Sequence, residues 1–139
     1  MILLTSLITF STAYKQAFGQ EIAVVVNPSF PENLIQKSDL KMIFLGRRRL
    51  LDNGEKIAVV NLPYNDPLRF DFSHKLLNKH PSRVDAVWAR LLFSGVASPP
   101  PVLPNDQEVK RWLNKNKYGI GYIKNDSIDK SVKVIHVIE

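Results

Sequence analysis

The chain has 139 residues, 45% of them apolar and 23% charged, and no cysteine. At about 100 to 150 residues per domain this length predicts one domain around a single core, and the lack of cysteine excludes disulfide frameworks and thiolate metal sites. Nineteen Lys and Arg against thirteen Asp and Glu leave a net charge of +6, which favours anionic partners without choosing among phosphate, nucleic acid and lipid.

Residues 1–19 are set apart from the fold. Ile2 to Phe10 form an apolar stretch relieved only by Thr and Ser, and a small-x-small step follows at Ala17-Phe18-Gly19. That is the pattern of an export signal cut before Gln20, although no basic residue precedes the apolar run. A buried amphipathic helix is the competing reading. The stretch is shorter than the roughly 20 apolar residues a spanning helix needs, as is every later segment, so no membrane span is predicted.

Glu21 to Val26 is a brief β-branched run ended by Asn27-Pro28, which predicts a buried strand and a turn. Ser38-Asp39 opens a short apolar-periodic helix through Leu40, Ile43, Phe44 and Leu45, closed by Gly46 as a left-handed residue. Arg47 to Arg49 follow, then a turn at Asp52-Asn53-Gly54 and a second strand over Lys56 to Leu62. Asp66-Pro67 starts the next helix. The carboxylate can cap it, and proline at the first helical position gives up no needed hydrogen bond. Leu68, Phe72 and Leu76 share its inner face.

Ser82 with Asp85 three residues on predicts a further helix start, with Val84, Val87, Trp88, Leu91 and Leu92 as its buried stripe and Gly95 as its end. Pro99-Pro100-Pro101 through Pro104 form a stiff surface connection. Asp106 to Lys117 reads as a helix burying Val109, Trp112 and Leu113, followed by strands over Tyr118–Ile123 and Val132–Ile138. The order β, α, β, α, α, α, β, β predicts a single helix-flanked α/β sheet without internal repeats.

Several of these pieces fall in a familiar order. Ser38-Asp39-Leu40-Lys41-Met42-Ile43-Phe44-Leu45-Gly46, then Asp52-Asn53-Gly54, the strand Ile57 to Asn61, and Gly119-Ile120-Gly121-Tyr122-Ile123 resemble the periplasmic phosphate-binding proteins of ABC transporters, and more closely their short single-domain relatives. The similarity covers most of residues 21–138. It implies that residues 20–139 form one mixed α/β sheet domain like a single lobe of a type II periplasmic binding protein, in an exported, periplasmic and non-enzymatic protein.

The resemblance also locates a candidate site. In the family, a Gly-Ser-Gly-Thr turn begins the helix after the second strand and holds the anion with hydroxyls and backbone amides, at a helix start where N–H groups lack intrahelical partners. The matching stretch here is Asn65-Asp66-Pro67-Leu68. This departs from the pattern: Asp66 brings a carboxylate, and Pro67 has no N–H to donate. Arg69 in the first turn opposes the helix dipole, so it is either there to reach an anion, to pair with Asp66, or to extend into water. Ser29, after the first strand, lies at a strand edge of the kind where open α/β sheets place ligands, and it equally suits a plain turn. Ser29, Asn65, Asp66, Leu68 and Arg69 are therefore the candidate ligand-binding residues.

Arg47, Arg48 and Arg49 suit the C-terminus of a helix without any ligand. Trp88, Trp112, Phe44 and Phe72 fall on apolar stripes and read as core. His74, His80 and His136 show no ligand spacing, and no catalytic set, metal or cofactor site is predicted. The dispersed basic residues lack an aromatic platform, which argues against nucleic acid. Two functions remain. One is an oxyanion-binding domain for phosphate or a similar small anion, with dimerisation supplying a second lobe. The other is an envelope accessory or protein-interaction module on the same fold, which has lost its ligand.

Overall fold

A computed structural model describes residues 21–139; the export signal expected at 1–19 lies outside the described residues. The elements run β1 (Ile22–Val26), α1 (Lys37–Phe44), β2 (Ala58–Val59), α2 (Pro67–Phe72) extended by a π-helical turn (Ser73–Leu77), α3 (Pro81–Phe93), α4 (Asp106–Lys115), β3 (Gly119–Lys124) and β4 (Lys133–Ile138). This is the order read from the sequence. The strands form one mixed sheet in the order β2-β3-β1-β4, with β1 antiparallel to β3 and β4, and β2 parallel to β3.

Both faces of the sheet are covered, and β3 shows how. Gly119 and Gly121 point to α4, where a Cβ on Gly121 would stand 2.8 Å from Val109 and one on Gly119 would strike the Trp112 ring. Their missing side chains let the helix lie close against the strand. Tyr122, on the opposite face, enters an aromatic cluster: its ring stacks on Phe72 at 3.8 Å, and Phe44 meets Phe72 edge-on at 4.7 Å. Cover on both faces explains why β1 is an unbroken apolar run, buried at every position. The turn after α1 is equally tight. Gly46 has φ +72°, and a Cβ there would lie 2.5 Å from Leu91 and 3.0 Å from Trp88, so α3 packs directly on this glycine.

Three expectations need correction, and one buried charge was not foreseen. The strand expected over 56–62 keeps only Ala58–Val59, because its flanks find other partners: Ile57 N–H donates to the Arg49 carbonyl (2.9 Å) and Asn61 N–H to that of Pro101 (2.9 Å). The start of α3 is His80, not Ser82. The His80 Nδ1 accepts from the Ser82 N–H at 3.1 Å, and Pro81 takes the first helical position, which moves the start upstream. Leu92 is half exposed at the overhanging end of α3, outside the buried stripe, and Trp112 is only half buried. Lys110 is buried on α4 because its amine reaches across to Asp129 at 2.6 Å and to the Ser127 carbonyl at 3.0 Å.

Candidate functional site

The start of α2 is occupied by its own chain. Asp66 has extended backbone, and its Oδ1 accepts the Leu68 N–H at 2.9 Å, while Pro67 offers no donor. The amide that would face a ligand is thus already bonded to a carboxylate. Asn65 sits exposed in the preceding turn, which the Asp66 N–H closes onto the Pro63 carbonyl at 2.9 Å. Leu68 turns its side chain into the core.

Arg69 neither pairs with Asp66 nor extends into water. Its side chain is buried, with the residue 4% exposed. Nη1 donates to the Leu62 carbonyl at 3.2 Å, Nη2 to Asp85 Oδ1 on α3 at 2.6 Å, and the guanidinium lies 5.7 Å from the Tyr64 ring centre. It therefore bolts α2 to α3 and to the end of β2. Beside it, the Tyr122 hydroxyl donates to Asn61 Oδ1 and accepts the Leu62 N–H at 3.3 Å. Burial holds the Tyr122 phenol far above its ordinary ionisation range, so it remains a protonated donor. The buried side chains here are mutually satisfied.

A cavity of about 550 Å³ opens next to Asp66. Asp106, Asp126 and Asp129 line it together with Asp66, against the two cations Lys110 and Lys124. Lys110 is already bound to Asp129, and Asp106 Oδ2 accepts from the Lys124 N–H at 3.1 Å. An incoming oxyanion meets more negative than positive charge. The Lys110 amine, and after it the Ser131 hydroxyl and N–H, hold the Asp129 carboxyl down at about 2 from an ordinary 3.8. A carboxyl depressed by folding stabilises the fold above its ordinary range and loses that contribution as the pH falls through about 2. Carbon-13 NMR titration should place Asp129 near that value in the wild type and back towards 3.8 in Lys110→Met; an unchanged midpoint in the variant would rule Lys110 out as the cause.

The remaining candidates lie elsewhere. β1 is antiparallel to β3 and Val26 pairs with Ile120, so Ser29 emerges where β3 begins. β2 is parallel to β3, so it delivers Asp66 to the end where β3 finishes. Ser29 is therefore not brought to the α2 mouth; it is exposed, with its N–H held by Asn27 Oδ1 at 2.8 Å in a local turn. Arg48 meets Glu32 (3.2 Å), Asp52 (3.5 Å) and Asp39 (3.9 Å), and Arg49 caps the end of α1 through the Gly46 carbonyl (2.9 Å). His74 and His80, unremarkable in the sequence, come together with ring centres 6.0 Å apart around Phe70. Among the described residues no group of three or more acidic, His or Cys side chains could hold a metal ion, and no helix is long and apolar enough to cross a membrane.

The architecture has close parallels among solved structures. An ABC-type phosphate transport receptor from Vibrio cholerae matches with a TM-score of 0.67 and 23% identity, over 84% of this chain and 46% of that one. The chain has the fold of one lobe of a periplasmic binding protein. A protein from Clostridium perfringens described as a phosphate ABC transporter substrate-binding protein, solved with bound phosphate, matches this lobe with a TM-score of 0.66 and 18% identity, over 84% and 45% of the two chains. PstS from Borrelia burgdorferi gives 0.61 and 16%, over 84% and 47%. The lobe spans less than half the length of each of these structures. No protein-family model and no curated protein matches the sequence.

Proposed function

We propose that this chain is an exported, non-enzymatic lobe of the periplasmic-binding-protein fold that serves in the cell envelope as an accessory or protein-interaction module and has given up phosphate capture at α2. The observation that carries this reading is the Asp66 carboxylate bonded to the Leu68 N–H. It occupies the place where the resembling family presents a donor turn. The acid-lined cavity alongside and the engagement of Arg69 by Asp85 support the same conclusion.

One observation favours a second reading, in which a small oxyanion binds here. Arg69 is a buried cation in the first turn of α2, and its carboxylate partner, Asp85, is half exposed, so an anion arriving from solvent could take the place of Asp85.

Thermal denaturation with and without 10 mM phosphate separates the two. A site with a dissociation constant of about 0.1 mM would add about 2.7 kcal/mol, or roughly 10 °C in a domain of this size. No shift is expected with phosphate or sulfate. A phosphate-dependent rise of several degrees that vanishes in Arg69→Met would overturn the proposal in favour of the oxyanion reading.

A further inference from the structure

A second concavity lies away from α2, beside the outer edge of β2. It is a trough of about 800 Å³ with Trp88, Trp112 and Val59 on its floor, prolines 99–101 along one wall, and Arg47, Arg49 and Lys56 at its rim. No Asp or Glu lines it. Arg48 also borders the trough but is neutralised by its three carboxylates. Arg47 and Lys56 make no ion pair among the described residues, which leaves two uncommitted cations above an apolar floor.

The sheet edge at this trough is taken at both ends, by the Arg49 carbonyl at Ile57 and the Pro101 carbonyl at Asn61, and leaves a gap at Val59. Ala58 and Val60 direct their N–H groups to the carbonyls of Tyr118, just before β3, and of Ile120 in β3, each at 3.1 Å. Val59 between them presents its own N–H and C=O to the other side, along the trough. The proline segment closes this edge only further on, where the Pro101 carbonyl accepts from Asn61. Pro101 has no N–H to give the Val59 carbonyl. Apolar side chains are exposed on the border of the trough and at the end of α3. Leu50 and Val96 on its border are about half exposed, and the end of α3 leaves Leu92 half exposed and Phe93 89% exposed.

We infer that this trough docks an extended segment of a partner protein in which apolar side chains alternate with Asp and Glu. The apolar side chains of the segment pack on the apolar lining, its carboxylates meet Arg47, Arg49 and Lys56, and its backbone bonds to the N–H and C=O of Val59 in the gap. Charge complementarity selects an acidic occupant. The exposed Leu50 and Val96 on the border and the size of the trough, about 800 Å³, select a macromolecular segment over a small carboxylate, which would leave those side chains bare. This identification rests on the interaction-module reading and supplies the chemistry of its partner.

Trp88 and Trp112 are the two tryptophans of the chain, so intrinsic fluorescence reports on the trough directly. The probe is an acetylated, amidated octapeptide alternating Leu or Val with Asp or Glu, titrated into the protein at low salt. A saturable change in emission is expected, weakened at least tenfold in Arg47→Ala/Lys56→Ala and weakened again by 0.5 M NaCl. Both substitutions are at solvent-facing side chains, and an unchanged melting temperature verifies the fold. No saturable change would overturn the proposal, as would equal binding of the peptide with Lys in place of Asp and Glu. Binding to anionic phosphatidylglycerol vesicles without binding to the peptide would replace it with a membrane surface. The phosphate melt reads the α2 mouth and not the trough, so failure of this proposal and failure of the interaction-module reading give separate signatures.

Discussion

Replacing Tyr122 with alanine is expected to cost about 3–5 kcal/mol, the range for removing a large aromatic side chain from a core, and to leave a chain that is barely folded at room temperature. Tyr122 is 1% exposed, stacks on Phe72, meets Phe44, and joins β3 to α1 and α2 through those rings. Its hydroxyl has a separate role, because it satisfies both Asn61 Oδ1 and the Leu62 N–H at the exit of β2. Tyr122→Phe keeps the stack and strands those two buried groups, so it should cost about 1–3 kcal/mol. Urea denaturation followed by circular dichroism distinguishes the two contributions. If the phenylalanine variant loses as much as the alanine variant, the ring stack contributes nothing and the hydroxyl carries the whole effect.

Asp85→Ala is expected to destabilise by about 2 kcal/mol, more than a surface ion pair would suggest. The reason is the asymmetry of the pair: Arg69 is nearly inaccessible, so loss of its partner leaves a buried guanidinium with no counter-charge, held by the Leu62 carbonyl and the Tyr64 ring. Solvent at the half-exposed Asp85 keeps the effect below that of a fully buried pair. Arg69→Met combined with Asp85→Ala should recover much of the loss, since a buried ion pair can be exchanged for apolar packing at little net cost. A double-mutant cycle gives the coupling directly. Additive effects of the two single substitutions would show that Arg69 and Asp85 do not act as a unit, and would free Arg69 for the oxyanion reading.

The candidate site was half legible in the chain. Asp66-Pro67 is a local signal, since the carboxylate reaches an amide two residues on and the proline sits where no donor is needed, and the cap forms as read. Arg69 was not legible in the same way. Its partner lies sixteen residues further on and on another helix, so spacing along α2 pointed to an anion, to Asp66 or to water and not to Asp85. The grouping of Ser29 with Asp66 rested on both following strands, but strand direction decides which end of a sheet a loop occupies, and β1 runs against β3. The trough left no mark in the sequence, because Arg47 to Arg49, Lys56, the two tryptophans and the proline run belong to separate elements, each with a sufficient local explanation.

The amino-acid sequence alone determined the order and type of the elements, the unbroken apolar character of β1, the glycine that ends α1 and the cap of α2. These depend on backbone preferences and contacts within about one helical turn, where side-chain identity acts directly on φ, ψ and the nearest amides. Tertiary structure decided the shortening of β2, the burial of Lys110 and Arg69, the separation of Ser29 from Asp66, and the acid-lined and cation-rimmed concavities. Each of these depends on strand order, strand direction and the helix lying across each face, which bring together residues whose positions in the chain carry no information about one another.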